Sequence, residues 1–286
     1  MNAIEKLMRR LTAIVAVAAL LAGILVAQAA TAVAERGTGA LAYAPQTGAL
    51  YKSDGRALYR SDKSGKEWTK VPLPPSAKAG PVTAMAVSAV GQGALYVAGP
   101  GVGLLKSSDA GKSWVPIDEG LPSHDVIALA AHSTAADTVY AVLAGQGIYR
   151  SEDGGKRWRM VDKGPQGQLH HFIHSGMEGS MQSGWLFAAT DNGVYRAMDC
   201  FCGFRVAGSL PGPVSAVTYD PKQPKELYAA VGKDVFSTAN GGEEWQAAAS
   251  PGGEISALAY SPSGVLYALL ADGRVVRSSD KGRQWE

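Results

Sequence analysis

Between positions 170 and 202 the sequence concentrates side chains able to hold a metal or pass electrons. His170, His171 and His174 come first, Met177, Met181 and Met198 follow, and Cys200 and Cys202, the chain's two cysteines, close the run. Thiolate, thioether and imidazole are the donors that Cu(I) favours, and thiolate with imidazole also suits Zn(II). The pattern predicts a Cu(I) or Zn site with Cys200 and Cys202 as primary ligands and Met198, Met177, Met181 and His174 beside them. A plainer assignment competes with it. Cysteines of an exported chain usually pair, and a Cys-x-Cys bridge would be short-ringed and labile. Met177 and Met181 would then pack beneath a loop, and His170 and His171 would line a channel as satisfied polar groups.

Acid–base chemistry has weaker carriers. Glycoside hydrolysis needs two carboxylates about 5 to 10 Å apart across a sugar, and Asp125 and Glu254, each just ahead of an apolar run, are the catalytic candidates. Asp54, Asp191, Asp234 and Asp272 fall in turns between runs. Capping and solvated roles compete for all of these, and no spacing singles out a pair.

The elements that must position these groups are set by a repeat. S-x-D-x-G-x-x-W recurs as Ser107, Asp109, Gly111, Trp114, then as Ser151, Asp153, Gly155, Trp158, and again as Ser278, Asp280, Gly282, Trp285. A looser copy reads Thr238, Asn240, Gly242, Trp245, and another Ser61, Lys63, Gly65, Trp68. Laying Tyr149–Trp158 on Tyr195–Phe204 reveals a sixth, with Phe204 in the place of Trp. The anchors Trp68, Trp114, Trp158, Phe204, Trp245 and Trp285 lie about 40 to 46 residues apart, which suits a blade of four short strands. The fold class is therefore all-β, a six-bladed β-propeller of four-stranded antiparallel blades with one N-terminal hydrophobic helix. Blades are expected near 40–75, 81–118, 124–163, 168–208, 213–249 and 254–286. In such a meander the first-to-second and third-to-fourth connections emerge on one face, so the sulfur ligands of blade four would share a side, with His174 nearby.

The repeat resembles the Asp-box, or bacterial neuraminidase (BNR) repeat, of the sialidase-like superfamily. The resemblance covers the chain from about Ala40 onward and implies structural duties for the box residues: Ser and Asp cap the turn, Gly takes a conformation closed to other residues, and Trp plugs the seam. It implies little about activity, because the box occurs in sialidases, xyloglucan-cleaving glycosidases, sortilin-type receptors and propellers that assist photosystem II assembly. The Arg-Ile-Pro motif of the sialidases is missing here. Arg60, Arg150, Arg196 and Arg277 sit beside boxes, where they would coat blade edges.

With 286 residues, 35 of them Gly, and only 18% charged, the composition is that of an ordered β protein. Residues 1–30 read as a signal peptide or membrane anchor: Lys6, Arg9 and Arg10 precede a run without charge from Leu11 through Ala34, which includes Ala27-Gln28-Ala29 as a cleavage site. Either outcome places the propeller outside the cytoplasm, periplasmic in a bacterium, soluble or anchored by the uncleaved helix. Removing that segment takes away three basic residues and one acidic and cancels the net charge of +2, so no nucleic acid is implied. Thr31–Arg36 is expected to close the ring as a strand beside Val275-Val276-Arg277. The reading that follows is an exported, membrane-associated scaffold that binds a protein partner, such as a membrane complex. Alternatives are a glycoside hydrolase acting on carbohydrate, and a copper- or zinc-handling or redox accessory protein working through blade four.

Overall fold

The computed structural model describes residues 39–75, 77 and 80–286. The expected signal or anchor and the closing strand 31–36 lie outside them. Among the described residues, 23 strands and no α-helix make six antiparallel sheets, five of four strands and one of three. Strand order is sequential in every sheet, so each is an up-and-down meander. The first strands of the sheets, Ala40–Ala44, Ala84–Val87, Val126–Ala131, Leu169–Ser175, Ala216–Asp220 and Ile255–Tyr260, contact one another around a common axis. This is the six-bladed propeller that the repeat predicts.

The inner strands are apolar because a neighbouring blade covers each of their faces. Their side chains alternate by size. Leu41 and Tyr43, Met85, Leu129, Phe172, Val217 and Tyr219, and Leu258 and Tyr260 pack toward the preceding blade. Small residues such as Ala42, Ala84, Ala128, Ala216 and Ala257 face the following one. Second strands add a buried large pair per blade: Leu50-Tyr51, Leu95-Tyr96, Val139-Tyr140, Leu186-Phe187, Leu227-Tyr228 and Leu266-Tyr267. Six apolar clusters result, one per seam, and the cluster of Leu41 and Leu50 with Ala257, Ala259 and Leu269 joins blade six to blade one.

Each repeat turn is held by its own side chains. Ser151 Oγ accepts from Gly155 N–H at 2.8 Å and donates to Asp153 Oδ1 at 2.9 Å, and Asp153 Oδ1 accepts from Arg157 N–H at 2.9 Å. The same bonds recur around Ser107 and Asp109, Thr238 and Asn240, and Ser278 and Asp280. Gly155 has φ +94°, and a Cβ there would meet Ile117 of the preceding blade at 2.6 Å. The indole N–H of Trp114, Trp158, Trp245 and Trp285 donates to the carbonyl of Pro72, Ile117, Ala207 and Ala249 respectively, all at the end of the preceding blade. Ser151→Ala leaves the Gly155 amide without its acceptor and should cost about 1 to 2 kcal/mol, or roughly 3 to 6 °C in a thermal melt. No measurable change would mean that the turn is held by its backbone alone.

At blade six, Glu286 exchanges both main-chain hydrogen bonds with Arg277, at 2.9 and 3.0 Å. It stands where Thr69, Val115, Arg159, Arg205 and Gln246 begin the fourth strands of the other blades. At Arg277 the outer edge is thus paired by Glu286, while the strand expected from residues 31–36 lies outside the described residues.

Candidate functional site

Blade four interrupts the regular pattern. Its turn carries Ala197 where serine would cap, so Asp199 is released from the duty that Asp109, Asp153 and Asp280 perform. Its carboxylate turns instead into the seam between blades three and four. There it accepts from the Ser183 hydroxyl in a very short hydrogen bond and from the Ser183 amide at 3.0 and 3.2 Å. Ser183 belongs to the loop 176–184, so Asp199 fastens that loop. Two imidazoles complete the cluster. His174, on the inner strand of blade four, has Nε2 3.6 Å from Asp199 Oδ2, and His132, just past the inner strand of blade three, has Nε2 3.8 Å away. Their rings stack at 3.8 Å, Tyr140 stacks on His174, and all three cluster members are buried.

The ring nitrogens define what this cluster can do. His132 Nδ1 accepts from the Thr134 and Ala135 amides, each at 3.1 Å, and His174 Nδ1 accepts from the Ser133 amide at 3.1 Å. A backbone amide can only donate, so both neutral imidazoles carry their proton on Nε2 and aim it at Ser183 and Asp199. Burial, with the neighbouring His132 next in effect, pushes the His174 pKa down to about 4, and burial also lowers that of His132. For Asp199 burial is the largest influence and would raise the pKa, but the Ser183 bonds and His174 together bring it below the usual carboxylate value.

The nearest ligand atoms of His132, His174 and Asp199 all lie within 4.8 Å of one another, close enough for one ion. The tautomers argue against that use. An imidazole that ligates through Nε2 donates a proton from Nδ1, whereas here three amide hydrogens already point at the two Nδ1 atoms. Nor can His132 serve as a base toward Ser183, for the same reason. The arrangement is a clasp of a carboxylate, two neutral imidazoles and a serine. His132 has a structural role besides: it occupies the loop-capping position that Ser175, Asp220 and Ser261 hold in other blades.

The six ligands expected from the sequence are not brought together. Cys200 and Cys202 form a disulfide with Cα atoms 5.5 Å apart. Met177 is buried in the seam of blades four and five, with its sulfur against Gly241. Met181 is exposed on the long loop. Met198 lies half-buried at the end of a strand, and His174 faces Asp199 rather than sulfur. The physical reason is that the third-to-fourth turn twists Asp199 inward and the cysteines outward. His170 pairs with Asp191 at 2.7 Å, and His171, held neutral by the apolar walls around it with its pKa pushed down to about 4, accepts weakly from the Val217 amide.

The axial channel has two unequal ends. Where the inner strands finish, a recess of about 290 Å³ is lined from every blade, by Tyr43, Val87, Ala131, Ile173, Tyr219 and Tyr260 among others. At the other end the space is only about 20 Å³. Leu41, Met85, Leu129 and His171 border both and form the waist between them. Asp125 and Glu254 precede their strands, so they sit at the narrow end, exposed, and their carbonyls accept from the Ala144 and Ala271 amides. Neither lines the wide recess. Arg60, Arg150, Arg196 and Arg277 pair with acids on blade edges, as expected.

No family model and no curated protein matches the sequence. Solved structures do match in fold. A GH74 xyloglucanase from Xanthomonas campestris aligns over 86% of this chain and 46% of its own, at 18% identity and a TM-score of 0.61. YCF48 bound to D1 peptide aligns over 86% and 80%, at 17% identity and a TM-score of 0.56. A chain of a nidogen/laminin complex aligns over 83% and 90%, at 12% identity and a TM-score of 0.67. The chain spans about half the length of the GH74 structures it resembles. Enzymes and protein-binding propellers thus stand side by side among the structures that share this fold.

Proposed function

We propose that this chain is an Asp-box propeller that acts as a protein-binding or assembly scaffold, exported and held at a membrane by its N-terminal segment. The observation that carries the reading is the placement of the recess. It is wide, mostly apolar and contributed to by all six blades, while the two candidate catalytic acids stand at the opposite, narrow end. A recess of that kind suits an apolar side chain or chain terminus of a protein partner, with the surrounding loops as a rim. Similarity to propellers solved with a peptide or within a protein complex supports this by analogy of fold.

The test has two arms. Full-length protein is used to capture partners from detergent-solubilised native membranes, beside a Val87→Asp variant matched for thermal stability. The variant is expected to lose the captured partner, because a buried carboxylate in an apolar contact is costly. Both are also assayed on aryl glycosides with Asp125→Asn and Glu254→Gln. Turnover abolished by those substitutions would establish the hydrolase instead.

A further inference from the structure

The Cys200–Cys202 bridge has no part in the recess. Only one residue separates the cysteines, so the cross-link closes a very short loop and restrains the unfolded chain little. Its effect must be local. Phe201, between them, has φ 56°, in the left-handed region that disfavours a residue with a Cβ. The matching turn positions hold Gly111, Gly155, Gly242 and Gly282. The Phe201 ring packs into the seam of blades three and four, 6.0 Å from that of Tyr140. On the other side Asp199 adjoins Cys200 and holds Ser183 and the loop 176–184. Ala197 cannot supply the serine cap that fixes the other turns, and the Phe201 amide has only the Met198 carbonyl, at 2.9 Å within the same turn, in its place.

We infer that the disulfide takes the place of the missing serine as the fastener of this turn, and that it is a reversible redox latch opened by an external dithiol, on a small molecule or a protein. Cys202 is exposed and Cys200 half-buried, so attack falls on Cys202. A thiolate of the dithiol attacks Cys202 Sγ, forms a mixed disulfide and expels Cys200 as thiolate. The second thiol, deprotonated, attacks its partner sulfur and expels Cys202. Both cysteines take up protons, two electrons have entered the bridge, and the dithiol leaves as a disulfide. With the bridge open Phe201 relaxes from its left-handed conformation, Asp199 swings with it, and the loop 176–184 loses its hold on the seam.

Hydrogen exchange of the full chain, oxidised and after dithiothreitol, tests this without denaturant. Exchange over 176–184 and 197–204 is expected to rise by about tenfold on reduction, as for a local opening. It should match a Cys200→Ser/Cys202→Ser variant, leave the other blades protected, and return on reoxidation. Phe201→Gly separates the latch from general damage: glycine accepts the same φ without a fastener, so whatever the lost ring contact costs, this variant should show the same loop exchange oxidised and reduced. A bridge that resists dithiothreitol, an unchanged loop, or loss of protection throughout the ring would each overturn the inference.

Discussion

Trp158→Ala is expected to lower the melting temperature by about 10 °C. The indole fills the seam between blades two and three beside Ile117, Val139 and Tyr149, and its N–H donates to the Ile117 carbonyl at 2.7 Å. Truncating a large aromatic in such a place costs about 3 to 5 kcal/mol, and in a domain of this size each kcal/mol moves the melt by roughly 2 to 4 °C. Trp158→Phe separates the two contributions. It keeps most of the packing and loses the hydrogen bond, so a drop of about 3 °C is expected. Phe204 already serves in that position in blade four. A fall under 3 °C for the alanine variant, measured by calorimetry, would show that the seams are not held by their aromatic plugs.

Acid should loosen the protein well before its turns fail. His174 and His171 have pKa values pushed down to about 4, and His132 is lowered too, mainly through burial. An unfolded histidine titrates near 6.5. Between about 6.5 and 4 the unfolded chain therefore binds more protons than the folded one. Stability is complete above that window and is lost as the pH falls through it. Protonating His132 or His174 on Nδ1 would set a hydrogen against the amides of Ser133, Thr134 or Ala135. Asp199 attracts the proton while Arg150 repels it, and the clasp holds both rings neutral. Water reaches His171 along the channel, which trims its share, so a combined loss of about 4 kcal/mol, near 10 °C, is expected between pH 7 and pH 4. His171→Asn with His174→Asn retains an acceptor at each site and should flatten the melt over that interval. The turn carboxylates act lower: Asp109, held near about 2 chiefly by Ser113, contributes stability that disappears only as the pH falls below about 4. A melt flat from pH 7 to pH 4 in the native protein would refute the account.

The ring was legible because the same side chains do the same job in each blade. Trp114, Trp158, Trp245 and Trp285 each reach the preceding blade's backbone, and that duty leaves a period in the sequence. The special character of blade four was legible too, through Ala197, the paired cysteines and the histidine run. What lay hidden was the company they keep. His132 is distant in sequence from His174 and belongs to another blade, and seam contacts leave no spacing rule. Two signals pointed to it. Asp199 had lost its serine, so its carboxylate needed other donors, and His132 sits where Ser175 and Ser261 cap their loops. The sulfur cluster failed for a related reason: residues on one side of a blade still diverge when a turn sends Asp199 inward and Cys202 out.

The size alternation along the inner strands gives the ring a sense of rotation. Bulky teeth point one way and small sockets the other, alanine in every blade but the fourth, which offers Ile173, so the joints are head-to-tail and none is self-complementary. Two copies of one blade laid together about a twofold axis would meet tooth to tooth or socket to socket, and neither fits. A head-to-tail joint closes only when its rotation brings the last blade back to the first, and here Leu41 and Leu50 meet Ala257 and Ala259 to make that final joint of the same kind as the rest.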